Sequence, residues 1–184
     1  MKLKKINAFL ALLSLVLMLL HVGYSCFAYL TFYYNPFLTK IFAVPFIVLT
    51  CLHAVCGMMI VFLQADGTRP DLYPRQNLRT ILQRGTAALI FPLLILHIQT
   101  FALLRDSAEK GNYAAFWALI LAEILFFAVV LTHIAVSVTR ALITMGWLTS
   151  ERAQRHLDRI IYIVCGVAFV IMVVSVVRGQ VLMF

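Results

Sequence analysis

Charge is missing from long tracts of this chain. No residue between Lys5 and Lys40, Lys40 and Asp66, Arg84 and Arg105, or Arg159 and Arg178 is charged, and between Lys110 and Arg140 only Glu123 is. A helix that crosses a bilayer needs about 20 mostly apolar residues, and each tract supplies them. The pattern predicts an all-α integral membrane protein with five transmembrane helices, near residues 6–32, 41–63, 82–104, 113–146 and 158–178. The runs are continuous rather than alternating, which speaks against the strands of a membrane barrel. Composition agrees: 64% of the residues are apolar, against about 45–50% in soluble domains. No internal repeat or low-complexity tract divides residues 1–184, so they read as a single domain.

Orientation follows from the basic residues. With the amino terminus on the cytoplasmic side, eleven of the fifteen Lys and Arg residues are cytoplasmic: Lys2, Lys4, Lys5, Arg69, Arg75, Arg79, Arg84, Arg140, Arg152, Arg155 and Arg159. Lys40, Arg105, Lys110 and Arg178 fall outside. Membrane proteins concentrate Lys and Arg in cytoplasmic loops, so the net charge of +8 is a topology signal and not the mark of a nucleic-acid partner. Tyr29, Tyr33, Tyr34, Tyr113 and Trp117 cluster at the predicted outer interface, where aromatic residues sit among lipid headgroups. The first apolar run is too long for the core of a signal peptide and reads as a membrane helix.

Several chemistries are disfavoured. Cys26, Cys51, Cys56 and Cys165 lie in apolar spans, where cysteine behaves as a small hydrophobe. No CxxCH motif attaches a haem covalently, no CxxC pair suggests zinc or disulfide exchange, and no glycine-rich phosphate loop is present. The longest polar segments, Gln64–Gln83 and Thr149–Asp158, are too short to hold a catalytic domain.

Four of the five histidines fall inside the spans: His21, His53, His97 and His133, one on each of the first four helices. Ionisable groups are expensive in hydrocarbon and usually mark function. A single buried histidine often only bonds across a helix interface, but four spread one per helix form a pattern. A proton relay would bring several carboxylates, and Glu123 alone is placed to serve. Zinc gathers four ligands at one depth, often with cysteine or carboxylate among them. Protohaem (haem b) instead takes two imidazoles from opposing helices.

Depth separates the candidates. His97 lies on the outer side of its helix and His133 on the inner side, a difference of roughly 10 Å or more along the membrane normal. They therefore belong to different sites. His21 and His53 both stand near mid-span, and counting along the helices leaves either free to join either site. Two bis-histidine haems, one nearer each surface, use all four. Arg140 follows His133 by two turns on the same face, in position for the propionates of an inner haem. Gly57 and Gly85 are placed to let a flat macrocycle approach the backbone. Glu123, roughly 15 Å outward of His133, is a candidate for quinone or proton handling. Gln83 and Arg84 are candidates for propionate or quinone contact, and His156 reads as a surface histidine.

The segments "HAVCGMMIVF", "LQRGTAALIFPLLILH" and "THIAVSVTRALITMGWLTSERAQR", in this order, resemble the dihaem cytochrome b membrane anchors of succinate:quinone oxidoreductases and quinol:fumarate reductases. The resemblance covers nearly the whole chain. It implies that His21 and His97 ligate the outer haem iron, and that His53 and His133 ligate the inner one. It further implies a multi-pass subunit of a prokaryotic cytoplasmic membrane, surrounded by lipids and working in a respiratory chain. Its partners would be a cytoplasmic iron–sulfur subunit and a flavoprotein carrying FAD, with membrane quinone, most often menaquinone, as the other redox partner. A dimer of such complexes is compatible with the resemblance. The dicarboxylate site would lie in the flavoprotein, and Arg69, Arg75, Arg79, Arg152 and Arg155 could dock the partner. Some dihaem members carry a carboxylate just before the fourth-helix histidine; here Val130, Leu131 and Thr132 stand there. The competing readings are a haem b subunit of another membrane oxidoreductase and a haem-free transporter.

Overall fold

The computed structural model describes residues 2–63 and 74–184. Among them every regular element is an α-helix: α1 (Lys2–Thr31), α2 (Pro36–Leu63), α3 (Pro74–Glu109), α4 (Tyr113–Met145) and α5 (Glu151–Met183). All five are long and apolar enough to cross a membrane. They outrun the charge-free tracts, because nothing in the flanking polar residues breaks a helix. α3 takes in Arg79 and Arg84 at its start and Arg105 and Asp106 at its end, and α5 begins at Glu151 instead of near residue 158.

Local chemistry sets the ends. Pro36 opens α2 at a position where a missing N–H costs nothing, and the Asn35 side chain accepts from the amides of Phe37 and Leu38. Asn112 caps α4 by accepting from Ala115 N at 3.1 Å, and Ser150 caps α5 by accepting from Ala153 N at 3.1 Å. Gly146 ends α4 at φ 81°, a left-handed conformation that costs glycine little. Glu151 sits in the first turn of α5, where a negative charge complements the helix dipole.

Side-chain exposure is the reverse of that in a soluble bundle. Phe62, Leu121 and Val170 are 77%, 64% and 59% exposed, while Glu123 and Gln180 are 5% and 2% exposed. Such a surface is stable against lipid tails and not against water.

The helices alternate in direction, as the contacts between them require. α4 is the hub, packing on α3, α5 and α1, and α1 also packs on α2 and α5. Phe127 and Leu131 of α4 pack against Met172 and Val176 of α5, with Val22, Cys26 and Tyr29 of α1 beside them. No residue of α2 is buried. Gly179 lets α5 approach α1 closely, since a Cβ there would overlap the Tyr29 ring. Small residues at a membrane helix interface serve this purpose.

One end of the bundle holds Lys2, Lys4, Lys5, Arg79, Arg84, Arg140, Arg152, Arg155 and Arg159; this is the basic end. Arg79 clamps three helices there. Its guanidinium donates to both oxygens of Asp158 at 2.9 and 3.0 Å, to the Val136 carbonyl at 2.8 Å and to the Thr139 hydroxyl. Thr139 is fully buried and donates in turn to Asp158 at 2.8 Å. Arg79 is therefore spent inside the fold rather than offered to a partner, and Arg155 is paired with Glu151 at 2.8 Å. Arg69 and the side chain of Arg75 lie outside the described residues.

Candidate functional site

The four membrane histidines occupy two levels, and contacts between helices fix each level. Toward the basic end, His133 of α4 donates Nδ1–H to the Gln83 carbonyl of α3 at 3.1 Å, with the Thr86 hydroxyl also at 3.1 Å. His53 of α2 has its Nδ1 3.2 Å from the Asn7 carbonyl of α1. The two rings meet edge to face, with centroids 6.5 Å apart and planes at 64°.

His97 of α3 and His21 of α1 form the other level. His97 Nδ1 lies 2.8 and 3.1 Å from the two carboxylate oxygens of Glu123 on α4. The His97 ring stacks on Phe126, centroids 4.8 Å apart at 28°. His21 lies against Phe46 of α2, centroids 6.0 Å apart at 24°, and its Nδ1 is buried without a hydrogen-bond partner. His21 and His97 are electrostatic neighbours.

Helix rise converts these contacts into depth. Thr86 and His97 are separated by roughly 16 Å along α3, and Glu123 and His133 by roughly 15 Å along α4. The two helices run in opposite directions, so both intervals measure the same offset between levels. The position of His21, open from counting alone, is fixed by Phe46, roughly 10 Å from His53 along α2 and away from the basic end. His53 belongs with His133, and His21 with His97.

Hydrogen bonding also fixes which ring nitrogen is available. A neutral imidazole that donates Nδ1–H to an oxygen keeps its lone pair on Nε2. His53, His97 and His133 all have an acceptor at Nδ1, the outer support that metal-ligating histidines use to set tautomer and orientation. Two imidazoles bound to one metal at about 2 Å per bond have ring centres roughly 6 Å apart, near the spacing of the His53–His133 pair. Among the described residues no three His, Cys, Asp or Glu side chains converge.

The basic end supplies positive charge beside the His53–His133 pair. Arg140 donates to Gln83 Oε1 at 2.9 Å and to Thr80 Oγ1 at 3.1 Å, both neutral groups. Arg79 and Arg84 are its electrostatic neighbours. Gln83 thus holds two site residues at once, His133 through its carbonyl and Arg140 through its side chain. Arg140, bonded here to neutral oxygens only, could meet an anionic group.

Neither Gly57 nor Gly85 is required by helix packing. A Cβ on Gly85 would meet nothing within 4 Å, and one on Gly57 only Asn7 Oδ1 at 3.9 Å. Glu123 is brought to His97, whereas His156 stands apart near the start of α5.

Two groups of residues escape a reading of the sequence. Arg79 and Asp158 were visible as charges but not as a pair; an aspartate within the basic run "ERAQRHLDR" was the available hint. Tyr29, Gly179 and Gln180 form the second group: Gln180 Nε2 donates to Tyr29 Oη at 2.8 Å, and Gln180 Oε1 is buried without a partner. A glutamine directly after a glycine late in an apolar helix was its only signal. Neither family models, curated proteins nor solved structures give a match to this chain.

Proposed function

We propose that this chain is the membrane anchor and electron-transfer subunit of a complex of the succinate:quinone oxidoreductase and quinol:fumarate reductase class. It would carry two haems b, the inner held by His53 and His133 and the outer by His21 and His97. The observation that carries the reading is the arrangement of four imidazoles at two depths, His53 beside His133 at one and His21 with His97 at the other. A transporter has no need of that geometry, and a zinc site would bring its ligands to a single level.

When bound, the haems would supply one-electron redox chemistry across the hydrocarbon layer. The chain's own residues orient and select. Asn7, Gln83 and Glu123 hold three imidazoles with Nε2 available, and Arg140, with Arg84 beside it, would supply positive charge for inner propionates. Gly57 and Gly85 keep the helix surface low. The basic end would face the cytoplasm and an iron–sulfur subunit, itself bound to an FAD-containing subunit. Membrane quinone, menaquinone in the family it resembles, would complete the route.

The test is purification of the chain with whatever soluble subunits accompany it, followed by a haemochrome assay and a reduced-minus-oxidised spectrum. Two extractable protohaems per chain and copurifying subunits that interconvert succinate and fumarate are expected. A preparation without haem overturns the reading.

A further inference from the structure

The oxygens that back the imidazoles are not equivalent. At the inner level His53 and His133 donate to backbone carbonyls, which are neutral dipoles. At the outer level His97 meets a carboxylate through both of its oxygens, and His21 Nδ1 has no acceptor at all. Glu123 is 5% exposed on the buried face of α4, in the same stripe as Ile120 and Phe127. Placing an ionisable group in the interior of a membrane protein is costly. The group it serves is His97, since both oxygens point there.

We infer that Glu123 is a positioning residue that acts on the outer centre through His97. This rests on the haem reading above. The carboxylate fixes the proton of His97 on Nδ1, leaves Nε2 as the nitrogen with a free lone pair, and makes the imidazole a stronger donor. Hydrogen bonding from an outer-shell carboxylate raises ligand basicity, and a more basic axial ligand favours oxidised over reduced iron. The outer centre therefore has one carboxylate-backed ligand opposite one unsupported ligand, while the inner centre has two ligands backed by carbonyls. On this assignment Glu123 does not touch quinone. Its effect on turnover is transmitted by the redox balance of the outer haem.

Redox titration of the visible bands, with electron paramagnetic resonance of the oxidised haems, tests this on the purified complex. Glu123→Gln keeps an oxygen acceptor for Nδ1–H and removes the charge. The outer component is expected to become easier to reduce, its reduced-to-oxidised ratio at fixed potential rising about tenfold, or about 59 mV for one electron. The inner component stays in place. Glu123→Asp, a second variant that retains charge, restores most of the original outer signature. Glu123→Leu removes the acceptor and weakens retention of the outer haem by about 10–100-fold. With both haems bound in Glu123→Gln, an unchanged outer potential and resonance signature overturns the inference, as does a change confined to quinone kinetics. An unmutated preparation without haem overturns the functional reading instead and takes this inference with it, so the two failures are distinct.

Discussion

His53 and His133 come from α2 and α4, two helices that run in the same direction, and their rings meet with centroids 6.5 Å apart. Each is held from behind by a carbonyl of a third or fourth helix, Asn7 of α1 and Gln83 of α3. Four helices thus converge on one pair of imidazoles.

That convergence predicts a pattern of loss. His53→Ala and His133→Ala should each abolish the same haem component, and His21→Ala and His97→Ala should each abolish the other. The offset of roughly 15 Å between levels prevents one partner from replacing another without sliding a helix. Difference spectra of the four variants, normalised to protein yield, check this. If His133→Ala and His97→Ala lose the same component, the pairing is wrong.

Arg140 should act on the inner component alone. Its guanidinium reaches Gln83, whose carbonyl holds His133. Arg140→Gln removes a positive charge that favours the reduced form, so the inner haem should become harder to reduce by a few tens of millivolts, on the scale of about 59 mV per tenfold change. The outer potential should not move. A redox titration resolving the two components decides it.

The Arg79–Asp158 clamp should matter for stability and not for electron transfer. Its side chains are 22% and 15% exposed, and removing one partner of this partly buried pair leaves the other charge uncompensated. Asp158→Ala should cost about 1–3 kcal/mol, the scale for losing a hydrogen-bonded charged partner at a partly buried site. Thermal unfolding in detergent measures it, and Arg79→Met combined with Asp158→Leu should recover most of the loss. A single variant as stable as the parent would show that the clamp is dispensable.

Gly179→Ala should loosen the contact between α1 and α5. The added methyl overlaps the ring of Tyr29, which is tied to Gln180 and has little room to retreat. Overpacking of this kind costs about 1–3 kcal/mol. Gly85→Ala meets no neighbour within 4 Å and gains only the helix propensity of alanine, about 1 kcal/mol or less, so the haem-free chain should lose no stability, which makes it the matched control. Equal melting temperatures for both haem-free variants would refute the distinction.

Much of this architecture can be read from charge and apolar length alone. Five spans were legible because a single charged residue is costly in hydrocarbon, so each uncharged run marks itself. Their ends were not, because a helix continues through polar residues wherever caps permit, as α3 does from Pro74. The offset between His97 and His133 followed from counting along antiparallel helices, whereas His21 and His53 both counted to mid-span. Only the contacts with Phe46 and Asn7 separate them. Rotation about a helix axis is set by packing with distant segments, so the approach of Glu123 to His97 and of Arg79 to Asp158 left no local trace.

α4 supports both levels, with Glu123 serving one and His133 the other. The interval between them is therefore a ruler of fixed pitch, graduated in peptide units and indifferent to loop length or lipid thickness. Its vulnerability lies in phase rather than extent. One residue inserted between these two positions would lengthen α4 by only about 1.5 Å but turn its two ends by about 100° relative to each other, so both side chains could no longer face their partners.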